Sequence, residues 1–141
     1  MPTCGRTFHL PQSPGASADD MVMASLDRLR GPDLAVTQKM DGRNMTIHAG
    51  GTHARNSDSR HQPSRDWLKA FAAGISSQLA LDERIAGENL RARHAVAYDA
   101  LPSYFLGFAW VTGGTVRSWD ETLARFAELG IVTMPLLPRS L

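Results

Sequence analysis

The sequence predicts an α+β domain built on an antiparallel sheet. β-like and helix-like stretches do not alternate regularly along the chain, and several β-like stretches are joined by Asp-Gly or Gly-Gly turns. Two further stretches carry apolar residues at the spacing of helices that bury one face. At 141 residues the chain suits one domain, 1–141, with room for a real core.

Residues 1–18 are rich in Pro, Ser and Gly and read as a loop-rich leader. Asp19 to Arg30 is expected to form a short helix with Met21, Leu26 and Leu29 inward, stopped at Gly31-Pro32. Leu34 to Met40 and Asn44 to Ala49 read as a strand pair around Asp41-Gly42, and Ala49 to Thr52 as a turn. Residues 53–63 are polar and irregular. They either cradle phosphates with their arginines and hydroxyls or form a solvated loop, and composition alone favours the loop.

Ser64 is expected to cap a helix over about 65–80, with Trp67, Leu68, Phe71, Ala72, Ile75 and Leu79 on its core face. Arg84 to Leu90 reads as a strand in which Gly87 marks a bulge or a close backbone approach. After a connection over 91–102, Tyr104 to Val111 is a strongly apolar strand that turns at Gly113-Gly114 into Val116-Arg117. Ser118-Trp119-Asp120-Glu121 has capping-box form and opens a helix with Leu123, Phe126 and Ala127 inward and Gly130 as its stop. Ile131 to Leu137 is a last extended segment, which Pro135 and Pro138 keep from being a central strand.

Composition narrows the function classes. A formal charge of +1 removes any whole-chain electrostatic argument for nucleic acid. No apolar run is long enough to span a membrane, and Met1 to Arg6 lacks the apolar core of a secretory signal, so a cytoplasmic protein is expected. One cysteine makes no internal disulfide, which fits a reducing compartment. Three histidines, His48, His53 and His61, follow no zinc spacing even with Cys4, so no protein-held metal site is assigned.

Thirteen of the fifteen cations are arginine, which leaves Lys39 and Lys69 as the only lysines. Lys39 lies in Gln38-Lys39-Met40-Asp41-Gly42-Arg43-Asn44, with an amine, a carboxylate and a glycine in four consecutive positions. A lysine that captures a nucleotide has to shed its proton, and desolvation or a neighbouring cation favours the neutral amine. On these residues alone, a solvent-facing lysine beside a tight turn stays equally open.

Together the motifs resemble the adenylation domain of ATP-dependent RNA ligases, a branch of the covalent nucleotidyltransferases. Lys39-Met40-Asp41-Gly42-Arg43-Asn44 is similar to the nucleotidyl-lysine motif and Arg6 to Gly15 to the leader of small bacterial and phage members. His53-Ala54-Arg55 with Asp58, then Pro63 to Trp67, resembles the segment that follows the lysine. Gly87-Glu88-Asn89-Leu90 is similar to the ribose-contacting motif, and Tyr98 to Phe108 to the aromatic motif that stacks on adenine.

The resemblance implies an antiparallel-sheet, ATP-grasp-like nucleotidyltransferase fold. Its chemistry would be a lysine–AMP intermediate followed by joining of RNA 5′-phosphate and 3′-hydroxyl ends, with ATP and Mg²⁺ or Mn²⁺ as cofactors. By resemblance Lys39 is the nucleophile, and Gln38, Asn44, Arg55, Glu88 and Phe108 are ATP contacts. Asp41 and Gly42 shape the site. Small members commonly carry acidic residues where Gln38 and Arg43 stand.

The family's later Glu-Gly-x-Val-x-Arg and Lys-x-x-Arg motifs do not occur, so the expectation is the N-terminal part of such a domain, incomplete on its C-terminal side. A second chain supplying those motifs is an implied partner. The alternative is a degenerate nucleotide- or RNA-binding domain without ligase activity. RNA and DNA substrates are not distinguished by these residues.

Overall fold

A computed structural model describes residues 7–54, 63–91 and 101–138, with side chains from Asp66 onward in the helix that begins at Pro63. In chain order the elements are β1 (Arg43–His48), β2 (Gly51–Ala54), α1 (Pro63–Ser76), β3 (Glu83–Asn89), β4 (Phe105–Thr112), β5 (Thr115–Val116), α2 (Trp119–Leu129) and β6 (Val132–Thr133). The sheet runs β2-β1-β3-β4-β5, every neighbour in that path antiparallel. β6 departs from the expected pattern by pairing parallel to β4, Leu106 opposite Val132, so the sheet is mixed. α2 supplies the crossover that a parallel neighbour requires.

Strand alternation sends Met45, Ile47, Ile85 and Phe105 to one face. There they meet Leu68, Ala72 and Ile75 of α1, Leu79 beyond its end, and Phe126 and Leu129 of α2. Trp67 and Phe71 stack with ring centroids 5.2 Å apart and flank this core. The core face expected for the first helix is the observed one.

The second helix keeps its predicted start and stop. Ser118 Oγ accepts from the Glu121 N–H while the Glu121 carboxylate accepts from the Ser118 N–H, and Gly130 closes the helix at φ 70°. Its inward face keeps Phe126 as expected but otherwise differs. Thr122, Phe126 and Leu129 are buried, whereas Leu123 is 38% exposed and Ala127 faces solvent. Register is set by Phe126 under Gly107, where an added Cβ would lie 2.5 Å from the ring.

Two other expectations fail. Asp19 to Arg30 forms only a 3-10 turn at Asp27–Leu29, with a bridge between His9 and Val22 upstream. No residue of that turn is buried, so too little apolar surface is covered to offset ordering a helix. Leu34 to Met40 does not pair with β1, and Asp41-Gly42 is no hairpin turn. Residues 36–38 run instead against 135–137, with Thr37 opposite Leu136. The first glycine turn is also shorter than expected: β2 already begins at Gly51, paired with His48. Gly113-Gly114, with φ of 54° and 78°, makes the predicted two-residue hairpin loop.

A buried polar knot ties the far end of the sheet to α2. Glu83, 9% exposed, receives Arg125 Nε at 3.0 Å, Arg125 Nη2 at 3.1 Å and Trp110 Nε1 at 3.1 Å. Arg125 Nη2 also donates to the Gln78 carbonyl at 2.9 Å. Burial pushes the Glu83 carboxyl up, but the hydrogen bonds from Arg125, Ala80 and Trp110 outweigh it and hold the carboxyl below its ordinary range.

Candidate functional site

The site grows from an irregularity in the β3–β4 ladder. Ala86 pairs with Ala109 but Gly87 pairs with Gly107, which leaves Phe108 as the extra residue of a bulge. Gly87 is needed there: a Cβ would lie 2.5 Å from the Leu106 carbonyl oxygen and would clash with the Phe105 ring. Both sequence readings of Gly87, bulge and close approach, therefore hold. Phe108 is half-buried against Met40, Leu90, Leu106 and Met134, a small apolar cluster separate from the main core.

One residue along β3, Glu88 sits opposite Asn44 of β1. The Asn44 side chain and the Gly42 N–H both hydrogen-bond its carboxylate. Asn44 Oδ1 is buried and, among the described residues, accepts no hydrogen bond. Gly42 lies so close to β3 that a Cβ would meet the Asn89 carbonyl oxygen at 2.7 Å and Leu90 Cδ2 at 2.6 Å. The glycine of the Asp-Gly pair thus lets the chain pass against β3, not turn back on itself.

Burial is the main influence on Glu88 and pushes its carboxyl up to about 6. The Asn44 hydrogen bond, the Lys39 charge and the Gly42 N–H oppose that rise, and the Asp41 charge adds to it. Lys39 and Asp41 are therefore close enough to Glu88 for their charges to act on it. Lys39 is exposed, in an extended segment and not at a strand end. Met40 beside it is 5% exposed. Gln38 is exposed, and its N–H donates to the Pro135 carbonyl at 2.8 Å.

The structure brings together Lys39, Asp41, Gly42, Asn44 and Glu88, with Phe108 joined to them through Met40. Arg55 lies outside the described residues, as do Tyr98, Asp58 and His61. His48 and His53 stand with ring centroids 5.1 Å apart, and His48 Nδ1 accepts from the Gly50 N–H at 3.1 Å. Among the described residues no three histidine, cysteine or carboxylate side chains gather into a metal-holding group. No helix of the described residues is long and apolar enough to cross a membrane.

Sequence reading missed the contribution of residues 134–137 to this region. The two prolines flagged an edge segment, but nothing in the local pattern paired it with residues 36–38.

The molecule is an α+β domain that sets a lysine, a desolvated glutamate and an aromatic side chain around a sheet bulge. Residues 32–140 match the family model of RNA ligases, and the chain belongs to the RNA ligase family. Comparison with curated proteins and with solved structures finds no match.

Proposed function

We propose that the chain is an RNA ligase-like nucleotidyltransferase that accepts AMP from ATP on Lys39, within a nucleotidyltransferase adenylation fold of the ATP-grasp-like kind. The convergence of Lys39, Asn44 and Glu88 carries this reading. Glu88 is only partly buried and offers a carboxylate acceptor for a ribose hydroxyl, and the Asn44 side chain and Gly42 N–H hold that carboxylate in place. Phe108 offers a flat apolar face for adenine, and Gln38 an amide for its amino group. Arg55 is proposed as a further contact to the nucleotide.

In the first step the neutral Lys39 Nζ attacks the α-phosphorus of ATP. A P–N bond forms, the bond to the bridging oxygen of pyrophosphate breaks, and the amine loses a proton. An oxygen of an RNA 5′-phosphate then attacks the same phosphorus, which frees Lys39 and leaves AMP on the RNA end. A 3′-hydroxyl finally displaces AMP and seals the strand. Mg²⁺ or Mn²⁺ would ride on the ATP phosphates. Among the described residues no three histidine, cysteine or carboxylate side chains form a cage for it.

The test is incubation with ATP labelled at the α-phosphate, followed by denaturation and then by addition of 5′-phosphorylated RNA to the undenatured sample. Label retained on the wild type, lost in Lys39→Ala and moved to RNA supports the reading. ATP binding without retained label would reduce it to a nucleotide-binding domain that transfers nothing.

A further inference from the structure

The segment after α2 has no assigned role, yet it touches both sides of Lys39. The Gln38 N–H donates to the Pro135 carbonyl at 2.8 Å, and the Leu137 N–H donates to the Val36 carbonyl at 2.8 Å. On the other side of the lysine, Met40 is buried in one cluster with Met134, Leu90 and Leu106, against which Phe108 and Val132 pack. The same segment is anchored on the bulge, because the Met134 N–H donates to the Gly107 carbonyl at 2.9 Å and Thr133 pairs with Gly107. Residues 133–137 thus connect the bulge that displays Phe108 to the two residues that flank Lys39.

We propose that this segment is a clasp that positions Lys39, with Met134 and the backbone of Pro135 and Leu137 as its working parts. Lys39 is exposed and sits outside any strand, so the sheet ladder does not fix it. Its position comes from its neighbours, one held by a backbone bond and the other by burial. Displacing a nucleophile by about 1 Å can cost on the order of a hundredfold in rate. A two-bond clasp on an exposed lysine therefore matters more to reactivity than to folding.

The clasp rests on the reading of Lys39 as the nucleophile, and the test separates the two. Leu137 is 46% exposed, and its N–H is the group that matters. Leu137→Pro removes that donor while keeping extended backbone, and Leu137→Ala removes the side chain alone. Two measurements are made on each folded protein. One is the labelling rate of Lys39 by an amine-reactive acylating reagent, read against Lys69 as internal reference. The other is the maximal rate and half-saturation of Lys39–AMP formation with ATP.

The expected result is a Lys39/Lys69 labelling ratio that departs from wild type at least about threefold more in Leu137→Pro than in Leu137→Ala. The maximal adduct rate is expected to fall about tenfold with ATP half-saturation little changed. Equal labelling ratios in the two variants would overturn the clasp, whatever the adduct shows. If the wild type forms no adduct, the nucleophile reading fails, and the labelling ratios alone still decide the clasp.

Discussion

Asn44 and Glu88 face one another across β1 and β3, and the Asn44 side chain hydrogen-bonds a carboxylate that burial has pushed up to about 6. The pair keeps a half-desolvated acid mostly ionised at neutral pH. A buried acid held in this way is costly to the fold and characteristic of functional sites.

Glu88→Gln should therefore stabilise the protein at neutral pH. The folded carboxyl titrates near 6, above its ordinary 4.5, so the stability linked to its protonated form is complete below about 4.5 and is lost as pH rises through 6. The full shift corresponds to about 2 kcal/mol, and partial solvent exposure reduces it to about 1 kcal/mol. Urea denaturation at pH 4.5 and pH 8 should show the variant gaining that margin on the wild type only at the higher pH. In the same variant, nucleotide affinity should fall by at least about tenfold, the loss of one charged hydrogen-bond acceptor.

Charge removal around Glu88 should move its titration in opposite directions. Lys39→Met withdraws a charge that lowers the Glu88 value and should raise it above 6, while Asp41→Asn should lower it. Carbon-13 NMR of the Glu88 carboxyl across pH 4–8 reads both.

Glycine substitutions should separate fold from site. Gly87→Ala presses a methyl against the Leu106 carbonyl and the Phe105 ring in the sheet centre, and should cost about 2–3 kcal/mol of stability by denaturant titration. Gly42→Ala meets the flexible end of Leu90 and the Asn89 backbone. It should cost less stability and displace the Lys39-to-Asn44 run, which adduct formation would report.

Far from the site, Arg125→Met should destabilise by about 2–4 kcal/mol, because Glu83 is left buried with its strongest partner gone. Glu83 is held below its ordinary 4.5, so its contribution is present above that value and is lost as pH falls through its lower folded value. Acid unfolding should begin at higher pH in the variant.

The pieces legible in the sequence were those set by local chemistry. The Ser118–Glu121 capping box, the Gly113-Gly114 hairpin and the apolar face of α1 each depend on residues within a turn or two. Gly87 is legible because a glycine inside a strand implies a bulge or a close approach, whereas Glu88 stands out only through the resemblance to the ribose-contacting motif. What stayed hidden was long-range pairing. Residues 36–38 share a ladder with 135–137, about a hundred positions away, and β6 runs parallel because α2 crosses over the sheet. The helical spacing of Leu123 from Phe126 points both inward when the helix is read alone. Which stripe of α2 faces the sheet is decided by Gly107 and Glu83, neither of which lies in the helix.

The central claim is that Lys39 accepts AMP. The most direct measurement is the intact mass of the purified chain after incubation with ATP and Mg²⁺ or Mn²⁺, beside a Lys39→Ala control. The account predicts a gain of one AMP in the wild type alone, even if only a minor fraction carries it. An unchanged mass in a wild type shown to be folded and to bind ATP would contradict it.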